Sequence, residues 1–549
     1  MTTTTALSPL QRLRLTYQPC LPTIFKDLPA LKIQGKGTAD LPSEIASFFP
    51  LLAKQPAELF FVHEDLQPHH PKKVGVLFSG GQAAGGHNVI TGLYDALTLL
   101  HPESQLIGFC DGPQGLVQNK WIPLSLEKIA DYRNQGGFDL VGSGRTKITT
   151  AAQFEAVEAT VRAHRLDGLV IIGGDDSNSN AAWLAEFFLK NKCETKVVGV
   201  PKTIDGDLKN EDIEISFGFD TAVKTYAETI GNLKRDARSA KKSYYFIKLM
   251  GRSASHITLE CALQTHPNMA LIGEEVAAQK KTLTQLALEI ADMICVRAEQ
   301  GKSYGVILIP EGIIEFIPEF SLLIEELNAL LSLRAQEFNQ GSTGQQIKSI
   351  MAALSPDALR CFQTIPLEIQ QQLLLDRDSH GNVQVSKIET ERLFSEVVRE
   401  ELMKRKKEGT YTGTFSSQPH FCGYEGRSCL PSNFDAQYCY ALGHLAALLI
   451  DQGATGYICC IKDLALTVGQ WKIKGRNLST MMGIETRSGK KTAVISKALV
   501  DLEGSAFHRF STARSNWRLQ DDDCMPGPIQ FFGPPELVDA ITDTLALGT

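Results

Sequence analysis

The amino-acid sequence predicts an α/β protein of two Rossmann-like α/β/α domains, carrying a helical insertion and an N-terminal extension. Two observations predict it. Short runs of β-branched residues recur and stop abruptly at glycine or acidic residues, as buried parallel strands do when they deliver polar loops at their C-terminal ends. Between about residues 320 and 420 that pattern nearly vanishes and a helical period replaces it. The expected boundaries are 1–70 for the extension, 71–243 for the first α/β domain, and 244–319 with 421–500 for the second. Residues 320–420 form the insertion and 501–549 a C-terminal segment.

Size and composition narrow the function classes. At 549 residues the chain is long enough for two or more domains with ample core. A formal net charge of -7 and a pI near 6.0 give no basic field for nucleic acid, so a polyanionic ligand must be held by local cations. The twelve cysteines are scattered without a C-x-x-C pair, and read as reduced thiols rather than a disulfide framework or zinc site. No signal-peptide pattern opens the chain and no apolar run approaches membrane-spanning length, so the expected location is the cytoplasm, with no membrane partner.

In residues 1–70, Ser8 to Tyr17 and Leu41 to Ala53 read as amphipathic helices that pack on the main body or an oligomer partner. The first strand is expected at Val74 to Phe78. It runs into Ser79-Gly80-Gly81-Gln82-Ala83-Ala84-Gly85-Gly86, followed by a helix through Leu97. Glycines between a strand and a helix let backbone N–H groups approach an anion. The spacing is neither a Walker A loop nor a G-x-G-x-x-G fingerprint, so a plain tight turn is the alternative. A second unit follows at Leu106 to Phe109. Then Gly136 to Lys147 forms a glycine-rich loop on which Arg145 and Lys147 could reach a phosphate, or simply be solvated.

The centre of the chain is Gly168 to Asn210. Leu169 to Ile172 and Val197 to Val200 read as adjacent strands joined by a helix from about Asn178 to Lys190. Their ends place Asp175, Asp176, Lys202, Asp205 and Asp207 on one rim, where open α/β sheets bind ligands. Four carboxylates and one ammonium together call for a divalent cation and a phosphorylated ligand. The helix that follows ends in Lys234, Arg235, Arg238, Lys241 and Lys242, which suit either dipole complementation or a phosphate across an interface.

Tyr244 to Leu249 is the next strand, ending in Met250-Gly251-Arg252. Tyr304 to Ile309 is another, ending in Pro310-Glu311-Gly312. Glu311 suits either hydroxyl recognition or a helix entry. In the insertion, Leu322, Leu323, Leu327, Leu330, Leu331 and Arg334 keep helical period, and the run Lys404 to Lys407 is a solvated helix end. The α/β pattern resumes at Gly423 to Ser428, and a helix to Ile450 with a strand from Tyr457 to Ile461 is expected to complete the second unit.

Taken together, Gly173-Gly-Asp-Asp-Ser177, Pro201-Lys-Thr-Ile-Asp-Gly-Asp207, Met250-Gly-Arg252, Pro310-Glu-Gly312 and Tyr424-Glu-Gly-Arg427 resemble the phosphofructokinase family, in its long, pyrophosphate-dependent branch. The resemblance runs from about Val74 to the C-terminal region. It implies the phosphofructokinase fold, and reversible Mg2+-dependent phosphoryl transfer from pyrophosphate to the 1-hydroxyl of fructose 6-phosphate, giving fructose 1,6-bisphosphate and phosphate in glycolysis or gluconeogenesis. By the same resemblance Asp205 is the general base, Asp175 holds Mg2+, and Lys202 stabilises the transferring group. Gly81 and Arg145 bind diphosphate. Thr203, Ile204, Asp205, Lys242, Ser243, Met250, Gly251, Arg252, Glu311, Tyr424, Glu425, Gly426 and Arg427 bind the sugar phosphate. ATP-dependent relatives have glycine after the metal aspartate; Asp176 here fills the room of an α-phosphate and repels it, with Lys202 as its companion.

Some positions depart from the family pattern. Ala84 stands for a usual proline, Ser243 for a frequent tyrosine that reaches a neighbouring subunit's sugar phosphate, and Cys429 for a common glycine. A homodimer with sites near the interface is implied by likeness. Two other functions are carried: a non-catalytic regulatory subunit, which would be expected to lose Asp175, Asp205 or Lys202, and an ATP-dependent phosphofructokinase, against which Asp176 and Lys202 both stand.

Overall fold

The computed structural model describes residues 7–64, 68–333, 343–375, 383–487, 490–522, 524, 529 and 533–548. Its largest sheet is built on Gly168–Gly173, a strand buried along its whole length. Lys196–Pro201 lies parallel on one side, with Leu169 opposite Val197 and Ile172 opposite Val200. Lys73–Ser79 lies parallel on the other, with Val74 opposite Gly168. Alternate side chains serve the two faces. Val170 and Ile172 pack with Leu93 and Leu97 of the helix Gly86–Leu100 and with Leu445 and Leu449 of Asn433–Asp451. Leu169 and Ile171 pack with Val157 and Val161 of Ala151–His164 and with Leu184 and Phe188 of Asp175–Lys190. Covering both faces is why these strands read as unbroken apolar runs.

A second sheet holds four parallel strands in the order Met269–Ala270, Tyr304–Pro310, Ser243–Leu249 and Ser417–Cys422. Leu283–Glu299 and Thr390–Lys407 cover one face, through Leu286, Ile290, Phe394 and Val398. The expected insertion contributes the helices Pro318–Leu333, Thr343–Met351, Pro356–Thr364 and Leu367–Leu375. Arg334 lies outside the described residues.

Three expectations need correction. Tyr457–Lys462 does not complete the second unit; it joins the large sheet, with Tyr457 parallel to Val198, and passes antiparallel to Lys472–Asn477. A buried strand carries no mark of which sheet it enters, and proximity in sequence pointed to the wrong one. The N-terminal region is also more than two helices. Leu31–Thr38 and Pro56–His63 form an antiparallel pair, and Gly475 and Arg476 join Pro56–His63 to the large sheet. Leu31–Thr38 is exposed over five of its eight residues, so its sequence lacks the apolar signal of an interior strand. Finally, the expected helix from Leu41 to Ala53 is only Ser43–Phe48 plus a turn at Leu52–Lys54.

The N-terminal helix Pro9–Leu15 does pack on the main body: buried Arg14 donates to Asn433 Oδ1 at 2.9 Å and to the Pro431 carbonyl at 2.7 Å. No helix among the described residues is long and apolar enough to cross a membrane.

Candidate active site

The first wall of the site is the loop after Lys73–Ser79. Gly80 and Gly85 sit at φ of 90° and 105°, which glycine alone adopts cheaply. The buried Lys202, just past the end of Lys196–Pro201 on the far side of Gly168–Gly173, donates from Nζ to the Gly81 carbonyl at 2.7 Å. Burial, together with the Arg427 guanidinium, lowers its pKa to about 8, against the pull of Asp205 and Asp175. Ala84, the replacement for proline, is fully buried. His87 is structural: its ring is buried between the Gln135 carbonyl at 3.3 Å and the Leu140 N–H at 3.4 Å, and desolvation takes its pKa down to about 4.

Asp175 and Asp176 open the helix Asp175–Lys190, where its exposed N–H groups favour negative charge. Burial pushes the Asp175 carboxyl up, while Lys497 opposes that shift. Asp176 is ion-paired to Lys147 at 2.9 Å. The Thr203–Asp207 loop turns on Thr203, whose hydroxyl accepts the Asp205 N–H at 3.1 Å and donates to Asp207 Oδ1 at 3.3 Å. Gly206, at φ 74°, completes the turn. Burial beside Asp205 and Asp175 raises Asp207 to about 7.

The second wall comes from the other sheet. The ends of Ser243–Leu249 and Tyr304–Pro310 lie side by side: the Glu311 N–H donates to the Leu249 carbonyl at 2.8 Å and the Gly312 N–H to the Gly251 carbonyl at 3.3 Å. A Cβ on Gly312 would sit 1.8 Å from the Arg252 carbonyl oxygen, so glycine is required there. Arg252 is exposed. Glu311 is 1 % exposed, and its Oε2 has no hydrogen-bond partner among the described residues. Desolvation and the nearby Asp205 raise its pKa to about 8. An unpartnered buried carboxyl oxygen costs stability unless something binds it.

Tyr424 to Arg427 bridges the two walls. Buried Arg427 donates to Gln82 Oε1 at 3.1 Å and to the Gln82 carbonyl at 3.4 Å, with its guanidinium 5.2 Å from the centre of the exposed Tyr424 ring. A Cβ on Gly81 would meet Arg427 Nη2 at 2.1 Å, and one on Gly426 would meet the Tyr226 ring at 2.6 Å. Both glycines therefore permit close approach. Glu425 accepts the Gly423 N–H at 2.9 Å. Arg145 is exposed on the loop after Ser143–Gly144, beside Gly80, and its charge acts on both Lys202 and Arg427.

Most residues expected at the site thus gather around Gly81, Asp175, Asp205 and Glu311. Lys242 and Ser243 do not. They lie at the opposite end of the strand from Met250, roughly 20 Å away by the strand's rise. Ser243, at φ 69°, faces Ser416 with their hydroxyls 3.2 Å apart. Within one chain they are outside the site. Two neighbours of the site carried no sequence expectation of a role: Gln82, inside the glycine loop, and Lys497, which lies in no motif and donates to Ser253 Oγ at 2.7 Å.

The donor set suits Mg2+. Among the described residues no group of three or more His, Cys, Asp or Glu forms a metal cage. Mg2+ is commonly held by one or two carboxylates plus ligand phosphates rather than by protein alone, and Asp175 beside a glycine loop fits that habit. The arrangement can hold a polyanion against the Gly81 loop and Lys202, and set Asp205 between it and a second ligand under Arg252, Glu311 and Arg427.

Comparison with known proteins agrees with this architecture. Residues 73–450 match the phosphofructokinase family, and the chain belongs to that family. It is 48% identical over 544 residues, 99% of each chain, to pyrophosphate–fructose 6-phosphate 1-phosphotransferase of Porphyromonas gingivalis. It is 54% identical over 476 residues, 86% of this chain and 83% of the relative, to the protein of the same name from Treponema pallidum (strain Nichols). In fold it is similar to the solved structure of the pyrophosphate-dependent phosphofructokinase from Nitrosospira multiformis. That match has a TM-score of 0.55 and 15% identity, over 87% of this chain and 96% of that one.

Proposed function

We propose that this chain catalyses reversible phosphoryl transfer from pyrophosphate to the 1-hydroxyl of fructose 6-phosphate, giving fructose 1,6-bisphosphate and phosphate. The names of its relatives at 48% and 54% identity support the reaction. The observation that carries the chemistry is the buried Lys202 ammonium, fixed on the Gly81 carbonyl and within the field of both Asp175 and Asp205. It would stabilise charge on the transferring group without reorganising.

Gly81 and its neighbours, with Arg145 at the rim, would cradle pyrophosphate. Asp205 would accept the proton of the sugar's 1-hydroxyl as the new P–O bond forms. Thr203 holds the Asp205 backbone in place. Arg252 and Arg427 would grip the sugar phosphate, and Glu311 would accept a sugar hydroxyl at its unpartnered oxygen. Asp175 would hold Mg2+, whose charge neutralises pyrophosphate oxygens when bound. Asp176 would exclude a nucleotide's α-phosphate. Lys242 and Ser243 would act only across a subunit boundary, in a cytoplasmic homodimer.

The test is a donor comparison. With Mg2+ and fructose 6-phosphate, phosphorus NMR should show pyrophosphate consumed and fructose 1,6-bisphosphate formed, and the reverse on mixing the bisphosphate with phosphate. Turnover with ATP but not pyrophosphate would overturn the reading.

A further inference from the structure

Lys497 follows the antiparallel hairpin of Met482–Arg487 and Lys490–Ile495, which leans on the helix that begins at Asp175. Its backbone is fastened on both sides of the cleft. The Ile495 N–H donates to Ser179 Oγ at 2.8 Å, and that hydroxyl donates to the Asp175 carbonyl at 2.8 Å. The Ala498 N–H donates to the Asp207 carbonyl at 2.7 Å, and the Ala498 carbonyl lies 3.0 Å from the His256 ring nitrogen. Next, the Val500 N–H donates to Glu274 Oε1 at 2.9 Å, the same oxygen that accepts the Ser255 N–H at 3.0 Å. The segment therefore ties the Asp175 and Asp207 loops of one sheet to the loop following Arg252 of the other. The backbone on either side of Lys497 is thus fixed, and its exposed side chain is directed to Ser253 Oγ.

We propose that Lys497 is a further pyrophosphate-binding residue, a cation that closes the donor pocket from the Ser253 side, opposite Lys202. The proposal rests on the donor reading given above. Lys202 approaches from the glycine loop, with Arg427 and Arg145 on the same flank. Lys497 approaches from the other flank, and its charge acts on Asp175, Asp207 and Glu315. An ammonium has three donors; one is directed at Ser253 Oγ, and the others suit phosphate oxygens. A polyanion bound beside three aspartates needs cations on more than one side, because the carboxylates repel it. Ser253, next to Arg252, would position the ammonium, so the donor cation and the sugar-phosphate loop are set by one hydrogen bond.

The experiment compares full-length wild type, Lys497→Met, Lys497→Arg and Ser253→Ala in Mg2+ with pyrophosphate and fructose 6-phosphate. Loss of one charge-assisted contact predicts a KM for pyrophosphate raised roughly tenfold to a hundredfold in Lys497→Met, with the KM for fructose 6-phosphate changed by no more than about twofold. Lys497→Arg should recover most of the loss, and Ser253→Ala should show a smaller rise for pyrophosphate. Calorimetric titration with magnesium pyrophosphate should weaken in parallel. An unchanged KM for pyrophosphate in Lys497→Met would overturn the inference. So would equal rises for both substrates that arginine does not restore, which would make the lysine a structural tie. A wild type that uses ATP and not pyrophosphate would overturn the donor reading itself, before any variant is compared.

Discussion

The Lys147 ammonium lies 2.9 Å from an Asp176 carboxylate oxygen, and both side chains are more than a third exposed. A pair in that much water adds little stability, so its consequence is orientation. The carboxylate proposed to reject a nucleotide is held by a cation on the facing loop. Asp176→Gly should raise kcat/KM for ATP by at least about tenfold while lowering it for pyrophosphate. Lys147→Ala should leave the unfolding midpoint nearly unchanged and relax donor choice in the same direction. Coupled assays with each donor decide this; if neither variant shifts the ratio, Asp176 is not the filter.

Gly81→Ala puts a methyl group where the Arg427 guanidinium now lies. The clashing atoms are the far end of a flexible side chain, so the arginine can swing aside and the fold should survive. Binding should not. We expect the KM for fructose 6-phosphate to rise by about tenfold or more, with a thermal midpoint close to wild type. A lost fold with normal kinetics in the remaining protein would contradict the geometry.

Asp205→Asn removes the proposed proton acceptor while keeping shape. Its kcat should fall by roughly a hundredfold to ten-thousandfold, and fructose 6-phosphate should still bind by calorimetry. Retention of more than a tenth of wild-type kcat, as a rough threshold, would assign the proton to another group.

Glu311 gives a pH signature in the ligand-free protein. Its carboxyl titrates near 8 when folded, against an ordinary 4.5. A raised acid pKa means that the folded state binds the proton more tightly, so its stabilising effect is full below about 4.5 and lost as pH climbs through 8. Glu311→Gln has no such loss. The gap in unfolding midpoint between variant and wild type should therefore widen in the variant's favour from pH 5 to pH 8, by the equivalent of roughly 2 to 4 kcal/mol. A gap that stays constant would show that the carboxyl is ionised at little cost.

Much of this architecture is written locally. Gly168–Gly173 and Lys196–Pro201 announce themselves because interior parallel strands are apolar on both faces, and their loops begin where the apolar run ends. Asp175, Lys202 and Asp205 were accessible for that reason. Other features are decided at long range. Whether Tyr457–Lys462 enters one sheet or the other depends on partners that its own residues do not encode. Leu31–Thr38, a polar edge strand, has too little burial to leave a pattern. Lys497 sits in an irregular stretch whose position is fixed by bonds to Asp207, His256 and Glu274, none of them visible as spacing. Lys147 looked like a solvated loop residue because its partner, Asp176, is brought opposite only by the folded sheet.

The pairing of Lys196–Pro201 with Tyr457–Lys462 also sets a timetable for biosynthesis. The bond between the Val197 N–H and Thr455 Oγ1 joins residues 258 positions apart, and the whole second sheet is translated in between. At about 5–20 residues per second, a ribosome needs on the order of ten seconds or more to supply that neighbour. Until then the nascent chain displays an apolar strand with an unpaired edge next to half-formed phosphate loops. The first lobe therefore cannot mature as an autonomous unit on emerging from the exit tunnel. Its completion is postponed until Tyr457–Lys462 has been made, and a chaperone that shields sheet edges would have its longest task in that interval.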